Sequence, residues 1–233
     1  MKTRTMTVGD VLEGARAPYS HMDEKDARLF YSTMNALLVY ANERLHVIRP
    51  ERIHERPDTP LMLYTHGGQV AEELWKNRRI VEDFVSDNQA GLSDEQLECA
   101  SRWRHALRDT FTAVDANADR AIFMNRDRLF AVGASQDPAD SHVHHIPSLM
   151  LLTLLPFKGG IVTDGKTIHL SPQPAPWALP LIAEQLRDLC ALPIVETSEQ
   201  LVDYASEIPD DENRLSRSFQ KEVDRGFASG LLA

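Results

Sequence analysis

His142 and His144 stand two residues apart in Ser-His-Val-His-His-Ile-Pro. On a strand, that spacing puts both side chains on one face and His145 on the other. Two imidazoles on one face can give two ligands to zinc or another transition metal, and a catalytic site generally needs a third. His169 or Asp164, further along the chain, would complete the set. The competing reading leaves these histidines in a loop beside Asp140 and Pro147, solvated or capping backbone groups. The expected cofactor is none, with zinc or another transition metal as the alternative tied to the histidine site.

A second group could hold anions. Lys76, Arg78 and Arg79 fall in one helical segment, and Arg102, Arg104 and Arg108 in the next, with Trp103 between them. Antiparallel packing of the two segments would make one cationic face. Glu72, Glu73, Glu82 and Asp83 offset it, and Trp103 lies on an apolar stripe. The chain has 25 basic and 35 acidic residues, a net charge of −10. A field of that sign repels phosphate backbones and anionic lipid. Nucleic acid is therefore a disfavoured partner.

Lys158-Gly159-Gly160 raises the question of a phosphate loop. Such a loop joins a strand to a helix and places its lysine after the glycines. Here the lysine comes first, and Ile161-Val162-Thr163 follows in strand-like form. Asp164-Gly165 then reads as a two-residue hairpin turn, because both residues tolerate positive φ. That hairpin would pair Ile161 with Ile168 and turn both toward the helices. Gly159-Gly160 would let the chain bend on entering the strand.

No Gly-x-Ser-x-Gly elbow and no His-Glu-x-x-His pair occurs. Cys99 and Cys190 are too few for a four-cysteine zinc site. They read as buried free thiols in a reducing compartment. Residues Met1 to Asp10 lack an apolar core of signal-peptide length, and the apolar run near Leu149–Phe157 is too short for a bilayer. The expectation is a cytoplasmic protein with no membrane partner.

These residues must be positioned by the elements around them. Phe30, Met34, Leu37, Leu38, Ala41, Leu45 and Ile48 predict a helix from about Asp23, ended by Pro50. Glu51–Pro60 reads as a loop. Val70, Leu74, Val81, Phe84 and Val85 predict a second helix. Ser93 and Gln96 form a capping box for a third, whose stripe runs through Leu97, Ala100, Trp103, Leu107 and Phe111. Short apolar runs follow, with a hairpin through Asn125–Arg128 and a buried run from Ile146 to Leu155. Pro180 suits a helix's first turn, Thr197 and Gln200 form another capping box, and Pro209 stops that helix. Asp210-Asp211-Glu212 and the series Leu215, Phe219, Val223 and Phe227 predict a last helix. The fold class is α+β: one domain over 1–233, helical over 20–110, mainly β over 111–171 with an antiparallel sheet, helical over 172–233.

The string Leu-Pro-Phe-Lys-Gly-Gly-Ile-Val-Thr-Asp-Gly, Leu155 to Gly165, resembles one in a family of uncharacterised bacterial proteins, where a similar hairpin follows a helical region. Phe30–Val47 and Leu74–Leu107 are similar to that family's first three helices. Some relatives end in a SEC-C module, a cysteine-rich zinc-binding element. This chain has no cysteine after Cys190, so the module is not implied here. The resemblance brings kinship and no catalytic residue. The functional expectation is a non-enzymatic protein-interaction or regulatory module with an unidentified protein partner. The alternatives are a metal-dependent enzyme on His142 and His144, and a nucleic-acid-binding protein using the arginines.

Overall fold

The computed structural model describes residues 7–49, 67–171 and 173–208. Pro50, the Glu51–Pro60 loop, Pro209 and the expected last helix lie outside them. A short α1, Val8–Gly14, opens the described chain on a Thr7–Asp10 capping box. Helix α2, Glu24–Leu45, begins at the Asp23 cap and ends on His46, in the left-handed region at φ 53°. The expected second helix is two, α3 (Gly67–Lys76) and α4 (Arg79–Asp87). Helix α5, Asp94–Arg102, starts on the Ser93–Gln96 box.

There the expected pattern fails. The helix ends at Arg102, a single 3₁₀ turn spans Trp103–His105, and Leu107 already begins a strand, β1 (Leu107–Ala116). Leu107 and Phe111 belong to the sheet. A spacing of four satisfies a helix face and also a strand face, whose period is two.

The sheet is antiparallel, in the order β3-β2-β1-β4-β5, with β2 at Arg120–Met124, β3 at Leu129–Gly133, β4 at Ser148–Phe157 and β5 at Gly160–Thr163. The β2–β3 hairpin turns on Asn125, whose Oδ1 accepts from the amides of Asp127 and Arg128 at 3.0 and 2.9 Å. A further strand, β6 (Ile168–Ser171), also pairs with β4. Helices α6 (Leu179–Leu189, with Pro180 in its first turn) and α7 (Ser198–Ser206, capped by Thr197 and Gln200) complete the α+β fold.

Asp164-Gly165 is not the hairpin turn. The turn is Lys158-Gly159, at φ 42° and 84°, between Phe157 and its partner Gly160. Strands β5 and β6 do not pair with each other; both lie along β4. Thr163 sits opposite Leu154 and Ile168 opposite Leu151. Five residue steps on one side thus match three on the other, and Asp164–Thr167 bulges out of the ladder. Ile161 consequently lies across from Pro156 and joins the core on the opposite face from Val162, so Ile161 and Ile168 are not cross-strand partners. Gly165 still needs its positive φ, 73°, for the bulge.

Both faces of the sheet are buried. Phe111, Phe123, Phe130, Met150, Leu152 and Ile161 form one core with Leu201 of α7. On the other face, Leu155, Phe157 and Val162 join helices α2–α5, and Val114, Ile122 and Ala131 meet Leu189 of α6. The sheet curls until β3 and β5 both border Tyr19: a methyl on Gly133 would lie 1.8 Å from the Tyr19 carbonyl oxygen, and one on Gly160 2.4 Å from the Tyr19 Cβ.

Candidate functional site

The bulge carries Asp164 under α3. Glu72 and Trp75, three residues apart, share one side of that helix. The Trp75 Nε1 donates to Asp164 Oδ2 at 2.8 Å, and the Lys166 amide to Asp164 Oδ1 at 2.9 Å. Glu72 accepts from Arg108 Nη2, while Arg108 Nη1 donates to Thr153 Oγ1 at 3.1 Å. Both charges are inside the protein: the side chains of Arg108 and Glu72 are 10% and 3% exposed. Arg108 and Thr153 are cross-strand partners, so the sheet register itself aims the guanidinium at α3. The same Arg108 was expected on a helix face; it is a strand residue.

Burial pushes the Asp164 carboxyl above its ordinary range, against the pull of Arg108 and of its donors. Burial also lowers the Lys166 ammonium, against the pull of Asp164. A carboxyl with a raised folded pKa stabilises the fold fully below its unfolded value, about 3.9, and loses that stabilisation as pH rises through the folded value. Asp164→Asn keeps an oxygen for Trp75, gives up the one that accepts from the Lys166 amide, and cannot ionise; the ionisation cost removed is the larger effect at neutral pH. It should melt above wild type at about pH 7, with the gap closing toward about pH 4. A variant that melts lower at neutral pH would mean that the ionised carboxylate is net favourable.

Beside this pair is a cavity of about 160 Å³ lined by Arg108, Lys166, His142, His169, Gly68 and Ser135, among others. The pairing of β6 with β4 brings His169 to the loop that carries His142 and His144. The His144 and His169 rings stack, 5.4 Å between centroids and 21° between planes. Burial first, and then His144 and His142, hold the His169 pKa below its usual value. Stacked rings present faces rather than converging nitrogens, and Asp164 is turned toward Trp75. Among the described residues, no group of three or more His, Cys, Asp or Glu side chains could hold a metal ion.

The expected arginine face is divided. Lys76 pairs with Glu73 at 2.6 Å, Arg102 with Glu199 at 2.9 Å, and Arg108 with Glu72. Arg78 donates to the Ala106 carbonyl at 3.1 Å. Arg78, Arg79 and Arg104 do line one open cleft, which they share with Glu82 and His105. Lys158, the lysine of the tight turn, is held by Asp26 and lies 3.5 Å from Glu95. It joins the turn to α2 and α5 and faces no cavity described above.

Sequence reasoning names Glu72 only as an offset to the arginine face, which its pairing with Arg108 fits, and assigns no site role to Trp75, Thr153 or Lys166. One signal was available: Glu72 falls among Val70, Ala71 and Leu74, all buried. A carboxylate inside an apolar run requires a partner.

At the opposite side of the sheet's helical cover, α6 leaves apolar groups in water. Trp177 is 75% exposed, with Leu179 and Leu181 beside it in sequence and also exposed. Past the other end of α6, exposed Leu192 lines an open groove of about 910 Å³ with Val8, Val11, Pro193 and Ile194. No described helix is long and apolar enough to cross a membrane. No family model, curated protein or solved structure matches the chain.

Proposed function

We propose that the protein is a non-enzymatic interaction module that works as a pair of identical chains joined through α6. The observation that carries this reading is the 75% exposure of Trp177. Large apolar groups presented together to water mark contact surfaces. A second copy is the partner that fits. Knob and groove sit at opposite ends of one helix, and a two-fold axis makes any contact between unlike patches twice. Two antiparallel α6 helices would set the Trp177 end of each chain against the Leu192 groove of the other. No charged residue occurs from Gln173 to Ala183, so the net charge of −10 opposes pairing least there.

The thiols favour a binding role over a nucleophilic one. Both cysteines are free but only half-buried, short of the burial expected from sequence; that partial burial still pushes Cys99 up to about 12 and raises Cys190 also, which withholds the reactive thiolate. The same property suits a reducing cytoplasm. Kinship through the Leu155–Gly165 string is part of the proposal and adds no activity to it.

Trp177 also provides the test. The other two tryptophans, Trp75 and Trp103, are buried, so exposed-tryptophan emission comes from Trp177. Over a concentration series, mass by light scattering should double while emission moves to the blue. Trp177→Ala should stay a single chain and melt with the dilute, unpaired wild type, below the paired form at high concentration. A wild-type protein that remains single throughout, with emission independent of concentration, would overturn the reading.

A further inference from the structure

We infer that the cavity under the first turn of α3 is a binding site for a small tetrahedral oxyanion, either inorganic phosphate or the terminal group of a phosphomonoester. The site is independent of α6 and of the pairing proposed above. Arg108 reaches it from β1, Lys166 from the β5–β6 bulge, His169 from β6, His142 from the 3₁₀ turn Ala139–His142 before β4, and Gly68 from α3. Two cations and two imidazoles from four segments therefore border one small space.

The arrangement is incomplete without an acceptor. Arg108 uses both terminal nitrogens, on Thr153 and Glu72, while its Nε is buried with no hydrogen-bond partner among the described residues. A buried donor left unmade is costly, more so on a charged group. The side chain is nine-tenths buried, so bulk water is a poor substitute. The first backbone amides of a helix have no intrahelical acceptor and favour negative charge, and Gly68 brings that end of α3 to the same cavity. Burial lowers the Lys166 pKa against the pull of Asp164, and a bound anion would add to that pull.

The acidic neighbours do not fill the role. Glu72 is engaged by Arg108, and Asp164 accepts from Trp75 and from the Lys166 amide. The groups that border the cavity come from several segments, which suits a phosphate group, with oxygens on every side, better than the two oxygens of one carboxylate. Size limits the rest of the ligand. At about 160 Å³ the cavity is below the roughly 300–1,000 Å³ of pockets that enclose drug-sized molecules. It takes a head group and excludes a whole nucleotide.

Inorganic phosphate, glycerol phosphate and acetate should be titrated separately into the full chain, with sodium chloride holding ionic strength constant. The readouts are the imidazole resonances of His142 and His169 and heat by calorimetry. Phosphate should shift both resonances saturably with a Kd of about 1 mM or tighter, and acetate should not. Tighter binding of glycerol phosphate would assign the site to a phosphomonoester; equal or weaker binding would assign it to free phosphate. Lys166→Ala and His142→Ala, both at the cavity wall, should weaken binding by about tenfold each with unchanged circular dichroism. Arg108 itself is avoided because its loss threatens the fold. No saturation by about 10 mM phosphate in the wild-type chain would overturn the site, as would undiminished phosphate binding in the folded Lys166 variant.

Discussion

Replacing Glu72 by alanine is expected to destabilise the protein by about 3–5 kcal/mol, because it leaves the Arg108 guanidinium buried without its carboxylate. For a chain of this size that is a fall in melting temperature of about 6–20 °C. The loss comes mainly from the stranded charge and much less from the attraction removed. The double replacement Glu72→Leu with Arg108→Met removes both charges and keeps apolar volume, so it should recover most of the stability. Melts of wild type, Glu72→Leu, Arg108→Met and the double variant form the cycle. If Glu72→Ala costs less than about 1 kcal/mol, the pair behaves as a surface ion pair and its burial is wrong.

The second large effect concerns a residue with no side chain. Gly133→Ala would place a methyl 1.8 Å from the Tyr19 carbonyl oxygen, a backbone atom that cannot rotate away. Overpacking of this kind costs about 3 kcal/mol at the upper end of its usual range. Tyr19 cannot retreat freely. Its hydroxyl donates to Asp26 at 2.6 Å, and Asp26 in turn holds Lys158. Its ring stands edge-on to Phe157 at 5.3 Å. The expected result is a melting temperature lower by about 6–12 °C, together with a perturbed Tyr19 resonance. The matching change Gly14→Ala, where nothing lies within 4 Å, should cost far less. Equal melts for the two variants would contradict the wedge of Tyr19 between β3 and β5.

Local chemistry was legible in the sequence and pairing was not. The capping boxes at Ser93 and Thr197 form as expected, because each is settled within four residues. The hairpin on Asn125 is equally local. Asp164-Gly165 shows where such reasoning ends. It has the better turn composition, yet Lys158-Gly159 makes the turn, since Phe157 and Gly160 then extend the ladder along β4. The strain of a lysine at φ 42° is offset by contacts with Asp26 and Glu95 from helices distant in sequence. Arg108 was misplaced for another reason: Leu107 and Phe111 fit either periodicity. Nothing local marks the change from helix to strand after His105. The proximity of His142 to His169 was conditional on strand order, which no short window contains.

Val195 lies beside β3 in a single parallel bridge: the Ala131 amide donates to the Val195 carbonyl, and the Val195 amide to the Leu129 carbonyl, each at 2.9 Å. Those bonds occupy the outer margin of the sheet. Strand margins with unpaired amides recruit other chains. During synthesis, β3 leaves the ribosome long before Val195 does. The nascent chain therefore carries an open margin until the link between α6 and α7 emerges, and a message cut short before that link would leave it open for good. The C-terminal segment thus acts as an intramolecular guard. It satisfies part of the edge strand's backbone from within, next to the bond from Ala134 to Ser20, and so narrows the template open to aggregation when a growing chain is most exposed to it.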